Sequence, residues 1–225
     1  MCTVTYLPLG NNDFILTSNR DEQPTRETIE PKEYIEDGVL LRYPKDVLAG
    51  GTWIGLSDKK RLVCLLNGGF ETYQREASYK MSRGVIVKAI LKSDDFDKYI
   101  SDFNFSGIEP FTIVIVDWNS DSAIYELVWD GKKKHFTRLD QKPKIWSSST
   151  LYTKEEKALR KMWFEKWIDN SNAFTQEDIL KFHHNSDFGT RENSPKMKRL
   201  YVETVSITSI KKEANNVTLN YTSLI

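Results

Sequence analysis

Cys2 is the first residue of this chain whose chemistry suggests a reaction. Initiator methionine is generally removed before a small residue, and its removal here would leave one residue with both a thiol and an α-amine. The pKa of an α-amine is about 7.7–8.0 and that of a thiol about 8.5, so the two groups are closely matched for proton exchange. Because an N-terminal amine can act as base for its own side chain, Cys2 is a candidate nucleophile. A chance cysteine is the alternative.

A polar tetrad, Asn19 to Glu22, follows an apolar run and is expected to lie close to Cys2. Residues 3–7 and 13–18 are rich in β-branched and aromatic side chains and are separated by "GNND", which predicts a hairpin. Antiparallel pairing of these strands would place the tetrad beside the start of the first strand. The hairpin therefore predicts a site without any long-range contact.

The residue types in the tetrad suit thiol chemistry. Asp21 can orient an amine, and Arg20 favours a thiolate and so lowers the thiol pKa. Asn19 can donate a hydrogen bond to a developing oxyanion, and Glu22 is a candidate for substrate binding. A surface loop with an Arg–Asp ion pair is the alternative interpretation.

Two glycine-containing stretches add further candidates. In "LLNGG", Asn67 and the N–H groups that follow it could form an oxyanion hole, and Gly68 permits close approach of a substrate to the backbone. A turn that requires a positive φ explains the same residues. In "AGGTWIGL", Trp53 is a candidate pocket wall; the stretch lacks the strand–turn–helix context of a phosphate loop.

The hydrophobic periodicity predicts blocks of strands alternating with blocks of helices. After the first hairpin, the segment containing Pro24 and Pro31, through "YPKDVLAGG", reads as a loop. A second hairpin joins "TWIGL" to "RLVCLLN". Helices are expected from Ser82, with Val85, Ile86, Ala89 and Ile90 on one apolar face, and over "SDDFDKYISDF".

The second half of the chain repeats this alternation. The continuous apolar run "FTIVIVD" predicts a buried strand, and "SAIYELVWD" and "KHFTRL" follow it. Helices begin at a Thr153…Glu156 capping box and at Thr175, and two further strands end the chain. Hairpins rather than β-α-β units connect the strands, which favours an α+β layered sandwich.

Composition narrows the class of protein. The 225 residues are 39% hydrophobic and carry 32 basic and 32 acidic side chains, so we expect a single packed domain over residues 1–225 and no nucleic-acid partner. The sequence shows neither a secretory signal pattern nor a run of about 20 apolar residues, which predicts a cytoplasmic protein without a membrane span. Its oligomeric state is not predicted.

Structural roles are expected for Cys64, His183 and His184. Cys64 lies in an apolar strand and is expected in the core. His183 and His184 end a helix, where a protonated imidazole would suit the helix dipole, and no metal site is predicted. Trp163 and Trp167 form an apolar stripe that is expected to pack in the core.

The initial Met-Cys, the "NRDE" tetrad, "GGTW-I-G-L" and "SRG" at the start of a helix together resemble the NRDE family, also called the transport and Golgi organisation 2 family. This family is similar to N-terminal nucleophile hydrolases of the cysteine type. The resemblance implies an αββα sandwich of two mostly antiparallel sheets between helices. It also implies cleavage of an amide or thioester of a small molecule through an acyl-Cys2 intermediate, without a cofactor, with Asp21 orienting the amine.

One position departs from the hydrolase pattern. The hydrolases place an arginine just before the asparagine, whereas Arg20 follows Asn19 here, and strand alternation is expected to turn its side chain to the opposite face. The resemblance also leaves open a non-enzymatic role in haem binding or trafficking. A haem carrier would need an apolar slot and an axial ligand such as His, Cys or Met.

Overall fold

The computed structural model describes residues 3–170 and 173–225. In chain order its elements are β1 (Thr3–Gly10), β2 (Asp13–Glu22), β3 (Thr28–Glu36), β4 (Val39–Asp46), β5 (Ile54–Ser57), β6 (Arg61–Asn67), α1 (Arg83–Lys92), α2 (Phe96–Asp102), β7 (Phe111–Asp117), β8 (Ala123–Trp129), β9 (Lys134–Leu139), β10 (Lys144–Ser147), α3 (Lys154–Asp169), α4 (Gln176–His184), β11 (Glu203–Glu213) and β12 (Asn216–Ser223).

The chain divides into two compact units. The first unit comprises the described residues up to Thr25 together with Gln141–Ile225, and the second comprises Arg26–Asp140. Each unit contains one antiparallel sheet and two helices. That residues 1–225 behave as a single domain stays a prediction.

The first unit is built on a five-stranded sheet in the order β10-β1-β2-β11-β12. A two-residue turn at Asn11 and Asn12, both with positive φ (50° and 64°), joins β1 to β2, as the "GNND" signal predicts. Helices α3 and α4 pack on one face of this sheet. That face is the one that carries the candidate carboxylate.

The core beneath α3 and α4 is apolar away from the site. Leu7 and Ile15 of the hairpin pack against Phe164 of α3 and against Ile179 and Phe182 of α4. Trp163 and Trp167 are partly buried against the same cluster, which confirms the predicted apolar stripe. Helix α3 begins with the predicted capping box, in which the Thr153 side chain accepts from the Glu156 N–H.

The second unit is a seven-stranded antiparallel sheet whose strands, β3 to β9, follow one another in chain order. Helix α1 packs on β5 and β6. Every residue of β7 from Phe111 to Val116 is buried, and Cys64 of β6 is completely buried, as predicted. None of the helices in the described part of the chain has the length and apolar character needed to cross a membrane.

Two details of the second unit differ from the sequence-based predictions. The segment predicted as a loop contains the hairpin β3–β4, because Asp37 and Gly38 both adopt positive φ (53° and 78°) and form a tight turn. Pro31 is accommodated where the register between the two strands shifts. In α1, Ile86 and Ile90 are buried as predicted, whereas Val85 is 47% exposed, and Val87 and Leu91 complete the buried face.

Candidate functional site

The first hairpin brings the beginning of β1 beside the end of β2. Thr3 pairs with Asn19, and the pairing continues without a shift to Leu7 and Ile15, as predicted. On its other side Thr3 pairs with Ser147 of β10. Cys2, the predicted nucleophile, lies outside the described residues. The described end of β1 is therefore next to the polar tetrad.

Asp21 is a buried carboxylate with two fixed donors. Its side chain is on the face that α3 and α4 cover, and the residue is 3% exposed. Tyr152 donates its hydroxyl to Oδ2 at 2.8 Å, and Thr204 donates its hydroxyl to Oδ1 at 2.6 Å. Each carboxylate oxygen has more than one lone pair, so each can accept a further hydrogen bond.

The directions of these two hydrogen bonds are fixed by their neighbours. The Thr204 hydroxyl oxygen accepts from the Met197 N–H at 3.0 Å, so its proton is available for Asp21. The Tyr152 oxygen accepts from Nη2 of Arg160 at 2.8 Å, so its single proton also points to the carboxylate. Asp21 is thus held as a hydrogen-bond acceptor.

Arg160 ties this arrangement to the beginning of β1. Besides Tyr152, its guanidinium donates to the Thr3 hydroxyl and to the carbonyl oxygens of Asn193 and Ser194. The guanidinium carbon lies 3.7 Å from the centre of the Tyr152 ring, in a cation–π contact. Arg160 is 1% exposed, and its contacts connect α3, β1 and the 193–194 loop.

The sequence contains a signal for Arg160 that the apolar pattern obscures. Phe164 is buried and Trp167 is partly buried, four and seven residues after Arg160, so all three share one face of α3. The apolar Met162 is instead 51% exposed. Tyr152, Thr204 and Arg160 were all missed by sequence reasoning. Only the position of Arg160 relative to Phe164 and Trp167 could have pointed to it.

Asn19, predicted to donate to an oxyanion, donates to backbone carbonyls in the structure, and its catalytic role stays a prediction. Its Nδ2 atom donates to the carbonyl oxygens of His183 and Pro195, at 3.0 and 2.8 Å. Both amide protons are therefore used within the protein, and the residue is completely buried. The hydrogen bonds of Asn19 connect β2 to the end of α4 and to the loop that follows α4.

His183 is a neutral, buried ring rather than a protonated helix cap. Asn19 Oδ1 can only accept, so Nδ1 of His183 carries the proton of their 2.7 Å hydrogen bond. Nε2 then accepts from the Thr5 hydroxyl at 2.7 Å. Complete burial, together with the positive charge of Arg160, lowers the pKa of His183 to about 3. The predicted imidazolium is therefore wrong for this residue.

Arg20 lies on the face of the sheet opposite to Asn19 and Asp21. It pairs with Ser206 of β11, and the next residue on the same face, Ser18, pairs with Thr208. The hydrolase arginine precedes the asparagine and so corresponds to position 18, and Arg20 is expected to face the opposite side of the sheet from it. That expectation is wrong, because positions 18 and 20 are two residues apart on one strand and share a face. Arg20 is 3% exposed.

Glu22 is the most exposed member of the tetrad. It ends β2 opposite Glu203, is partly exposed, and its carboxylate accepts from the N–H of Gln23 at 3.0 Å. A role in substrate binding stays a prediction.

Asn67, Gly68 and Trp53 belong to the second unit. The Gly68 N–H, predicted to contribute to an oxyanion hole, donates to the Pro110 carbonyl at 3.0 Å, and the predicted role stays a prediction. Gly68 has φ +86°, and its own carbonyl accepts from the Thr112 hydroxyl at 3.0 Å, so the turn explanation holds. Roles for Asn67 and for Trp53, which is 5% exposed, stay predictions.

The "GGTW" and "SRG" stretches meet each other in this unit. A Cβ added to Gly84 would lie 2.9 Å from both the N and O atoms of Thr52, and one added to Gly51 would lie 3.0 Å from the Gly84 backbone. The first turn of α1 therefore rests directly on the backbone of residues 51–52. These glycines are required by packing, which is a structural explanation for both stretches.

Binding of a metal ion or of a haem iron would depend on side chains that can serve as its ligands. Within 3–170 and 173–225, no group of three or more His, Cys, Asp or Glu side chains could hold a metal ion. Both ring nitrogens of His183 are in hydrogen bonds, which removes it as an axial ligand. The haem-carrier alternative stays a prediction.

Comparison with solved structures identifies the class of fold. The chain is similar to a Caenorhabditis elegans N-acylethanolamine-hydrolyzing acid amidase ortholog (TM-score 0.63, 11% identity, 93% of this chain and 92% of that chain). It is also similar to a variant of conjugated bile acid hydrolase from Clostridium perfringens (0.57, 8%, 99% and 92%). A third similar structure is penicillin V acylase from Agrobacterium tumefaciens (0.52, 14%, 99% and 86%). The fold is that of the N-terminal nucleophile hydrolases, which confirms the predicted αββα class.

The family follows from the sequence as a whole. The family model described as Transport and Golgi organisation 2 matches residues 1–221, and the chain belongs to that family. No curated protein matches the sequence.

Proposed function

We propose that the protein is an N-terminal-cysteine hydrolase that cleaves an amide or thioester of a small molecule. After removal of Met1, the Cys2 thiol transfers its proton to the α-amine, and the sulfur attacks the substrate carbonyl carbon. The bond to the leaving group breaks as that group takes a proton. Water then hydrolyses the Cys2 thioester and releases a carboxylic acid.

The single observation that carries the proposal is the geometry of Asp21. A buried carboxylate stands on β2 two residues beyond Asn19, whose partner Thr3 directly follows Cys2 in the chain. Tyr152 and Thr204 each donate a hydrogen bond to this carboxylate, and a carboxylate is the kind of acceptor that an ammonium group requires. Asp21 would thereby orient the amine that serves as the base.

The similar structures support a hydrolase. Their names describe an acid amidase, a bile acid hydrolase and a penicillin acylase, each covered over 86% or more of its length. Because identities of 8–14% establish the fold alone, the reaction of this chain is proposed from its own residues. Asn19 is given no catalytic role in this proposal, since its amide protons are donated to the carbonyl oxygens of His183 and Pro195.

The decisive experiment compares three proteins: wild type, Cys2→Ala and Cys64→Ala. Intact-mass spectrometry after brief iodoacetamide treatment reports both loss of Met1 and rapid alkylation of one thiol. We expect wild type and Cys64→Ala to lack Met1 and to be labelled once, and Cys2→Ala to remain unlabelled. Cys64 is completely buried, which makes it the matched control.

Turnover is then screened with a panel of small amides and thioesters. Cys2→Ala should reduce any activity found to background, while Cys64→Ala should retain it. Asp21→Asn should lower turnover at least about tenfold, because an amide cannot compensate the charge of an ammonium group. Mature protein that keeps Met1, or a fully active Cys2→Ala variant, would end this proposal.

A further inference from the structure

The face of the five-stranded sheet opposite to α3 and α4 carries a buried polar group. Four side chains form it, and they lie on two neighbouring strands: Ser18 and Arg20 on β2, and Ser206 and Thr208 on β11. All four residues are between 1% and 3% exposed. We call this set the hydroxyl–arginine cluster. Three hydroxyls and one guanidinium are an unusual content for a buried sheet face, because such groups require hydrogen-bond partners.

Two hydroxyls of this cluster have no hydrogen-bond partner within residues 3–170 and 173–225. Among the described residues, no donor or acceptor reaches Ser206 Oγ or Thr208 Oγ1. Ser209, one residue further on the other face of β11, provides the contrast: its hydroxyl pairs with that of Thr17 at 2.8 Å and with Gln176 at 3.1 Å. Buried hydroxyls are normally satisfied, so the two unpaired hydroxyls of Ser206 and Thr208 require an explanation.

The register places both hydroxyls around Arg20. Ser206 lies directly opposite Arg20, and Thr208, two residues along the strand, lies opposite Ser18. Side chains two apart on a strand are separated by about 6.5–7 Å and point to the same face. The cluster therefore presents two hydroxyl donors on the strand next to a guanidinium, which is permanently charged.

The cluster is also next to the proposed nucleophile. Thr3, Asn19 and Ile207 form one cross-strand row, and Arg20 and Ser206 form the next row in the direction of the N-terminus of β1. A group bound there is within one or two strand spacings, about 5–10 Å, of the beginning of β1. That distance suits part of a substrate or product at the same site.

We propose that Ser206, Thr208 and Arg20 form a subsite for a carboxylate, the group released when an amide or thioester is hydrolysed. This inference rests on the proposed function for the choice of ligand. The hydroxyls donate to the carboxylate oxygens, and the guanidinium supplies the opposite charge. A neutral amide of the same shape is discriminated against, because it lacks that charge and brings donors of its own.

Propionate is the probe, and propionamide is its neutral isostere. Each is titrated into the ¹⁵N-labelled full chain at pH 7 and followed by amide chemical shifts. We expect propionate to shift the amides of Ser206 and Thr208 saturably, and propionamide to bind at least about tenfold more weakly. Equal binding of the two, shifts confined to other residues, or no propionate binding overturns the proposal.

Variants separate binding from packing. Ser206→Ala and Thr208→Val should each weaken propionate about tenfold, since each removes a hydrogen bond to a charged group. Ser209→Ala, on the same strand but the opposite face, should leave the Kd unchanged. If Ser206→Ala and Thr208→Val bind propionate as wild type does, the proposal is wrong.

The melting temperature of the ligand-free protein should change in opposite directions in the cluster variants and in the Ser209→Ala control. Removing an unsatisfied buried hydroxyl should raise it in Ser206→Ala and Thr208→Val, whereas Ser209→Ala should lower it by breaking the pair with Thr17. Melting temperatures that fall in all three variants contradict the proposal, because they show that the two hydroxyls are satisfied within the fold. If the Cys2→Ala variant binds propionate, the subsite proposal stands even when the proposed reaction is disproved.

Discussion

The hydroxyl of Tyr152 donates to Oδ2 of Asp21, 131 residues away in the sequence. The hydroxyl oxygen of Tyr152 in turn accepts a hydrogen bond from Arg160 at 2.8 Å. This relay connects the carboxylate of β2 to a guanidinium on α3 that also reaches the Thr3 hydroxyl. The position of Asp21 relative to the beginning of β1 is therefore set by a helix in the second half of the sequence.

Tyr152→Phe removes only the oxygen at the centre of this relay. We expect a loss of about 1.5–3 kcal/mol in the free energy of unfolding, because both Asp21 and Arg160 lose a charge-assisted hydrogen bond. Urea denaturation monitored by fluorescence measures it. Tyr201→Phe is the matched control, since Tyr201 is 74% exposed, and should be neutral. Equal stability of Tyr152→Phe and wild type would show that the relay contributes nothing.

His183 makes the stability of the protein depend on pH. Its pKa is lowered to about 3 by burial and by Arg160, whereas in the unfolded chain it has its ordinary value of 6.5. Between these values the unfolded chain binds the additional proton, so stability is full above about pH 6.5 and falls as the pH is lowered, by up to about 1.4 kcal/mol per pH unit.

Urea denaturation at pH 7 and pH 5 tests this expectation. Wild type should be less stable at the lower pH, and His183→Gln should lose most of that difference, since glutamine does not titrate. His184→Gln serves as the neighbouring control and should lose a smaller part, because His184 is only partly buried; burial and the charge of Lys196 lower its pKa. An unchanged pH dependence in His183→Gln would refute this role.

Gly84→Ala tests the contact between α1 and the "GGTW" backbone. In most helices this change stabilises by about 0.5–1 kcal/mol, because alanine has the higher helix propensity. Here the new Cβ would lie 2.9 Å from two backbone atoms of Thr52, so we expect a net destabilisation of about 1–3 kcal/mol.

The thermal midpoint and the urea midpoint both report this effect. Val85→Ala, at a neighbouring position that is 47% exposed, is the control and should change stability by less than about 0.5 kcal/mol. A Gly84→Ala protein more stable than wild type would mean that the backbone contact does not constrain this glycine.

The sequence alone determined the local parts of this protein. Turn residues and the alternation of apolar side chains predicted the β1–β2 hairpin and its register, and the capping box predicted the start of α3. Such features depend on residues close together in the chain, which act through backbone geometry and side-chain period. The β3–β4 hairpin was missed although its Asp37–Gly38 turn is a local signal of the same kind.

Tertiary structure decided which polar side chains surround Asp21 and Asn19. Tyr152, Arg160, His183 and Thr204 come from segments 131 to 183 residues away from their partners on β1 and β2. It also showed that Asn19, the most plausible oxyanion donor by residue type, uses its amide protons to hold the fold. A residue type states which hydrogen bonds a side chain can make. Which of them it makes depends on the partners that folding brings within about 3 Å, and no local pattern encodes those.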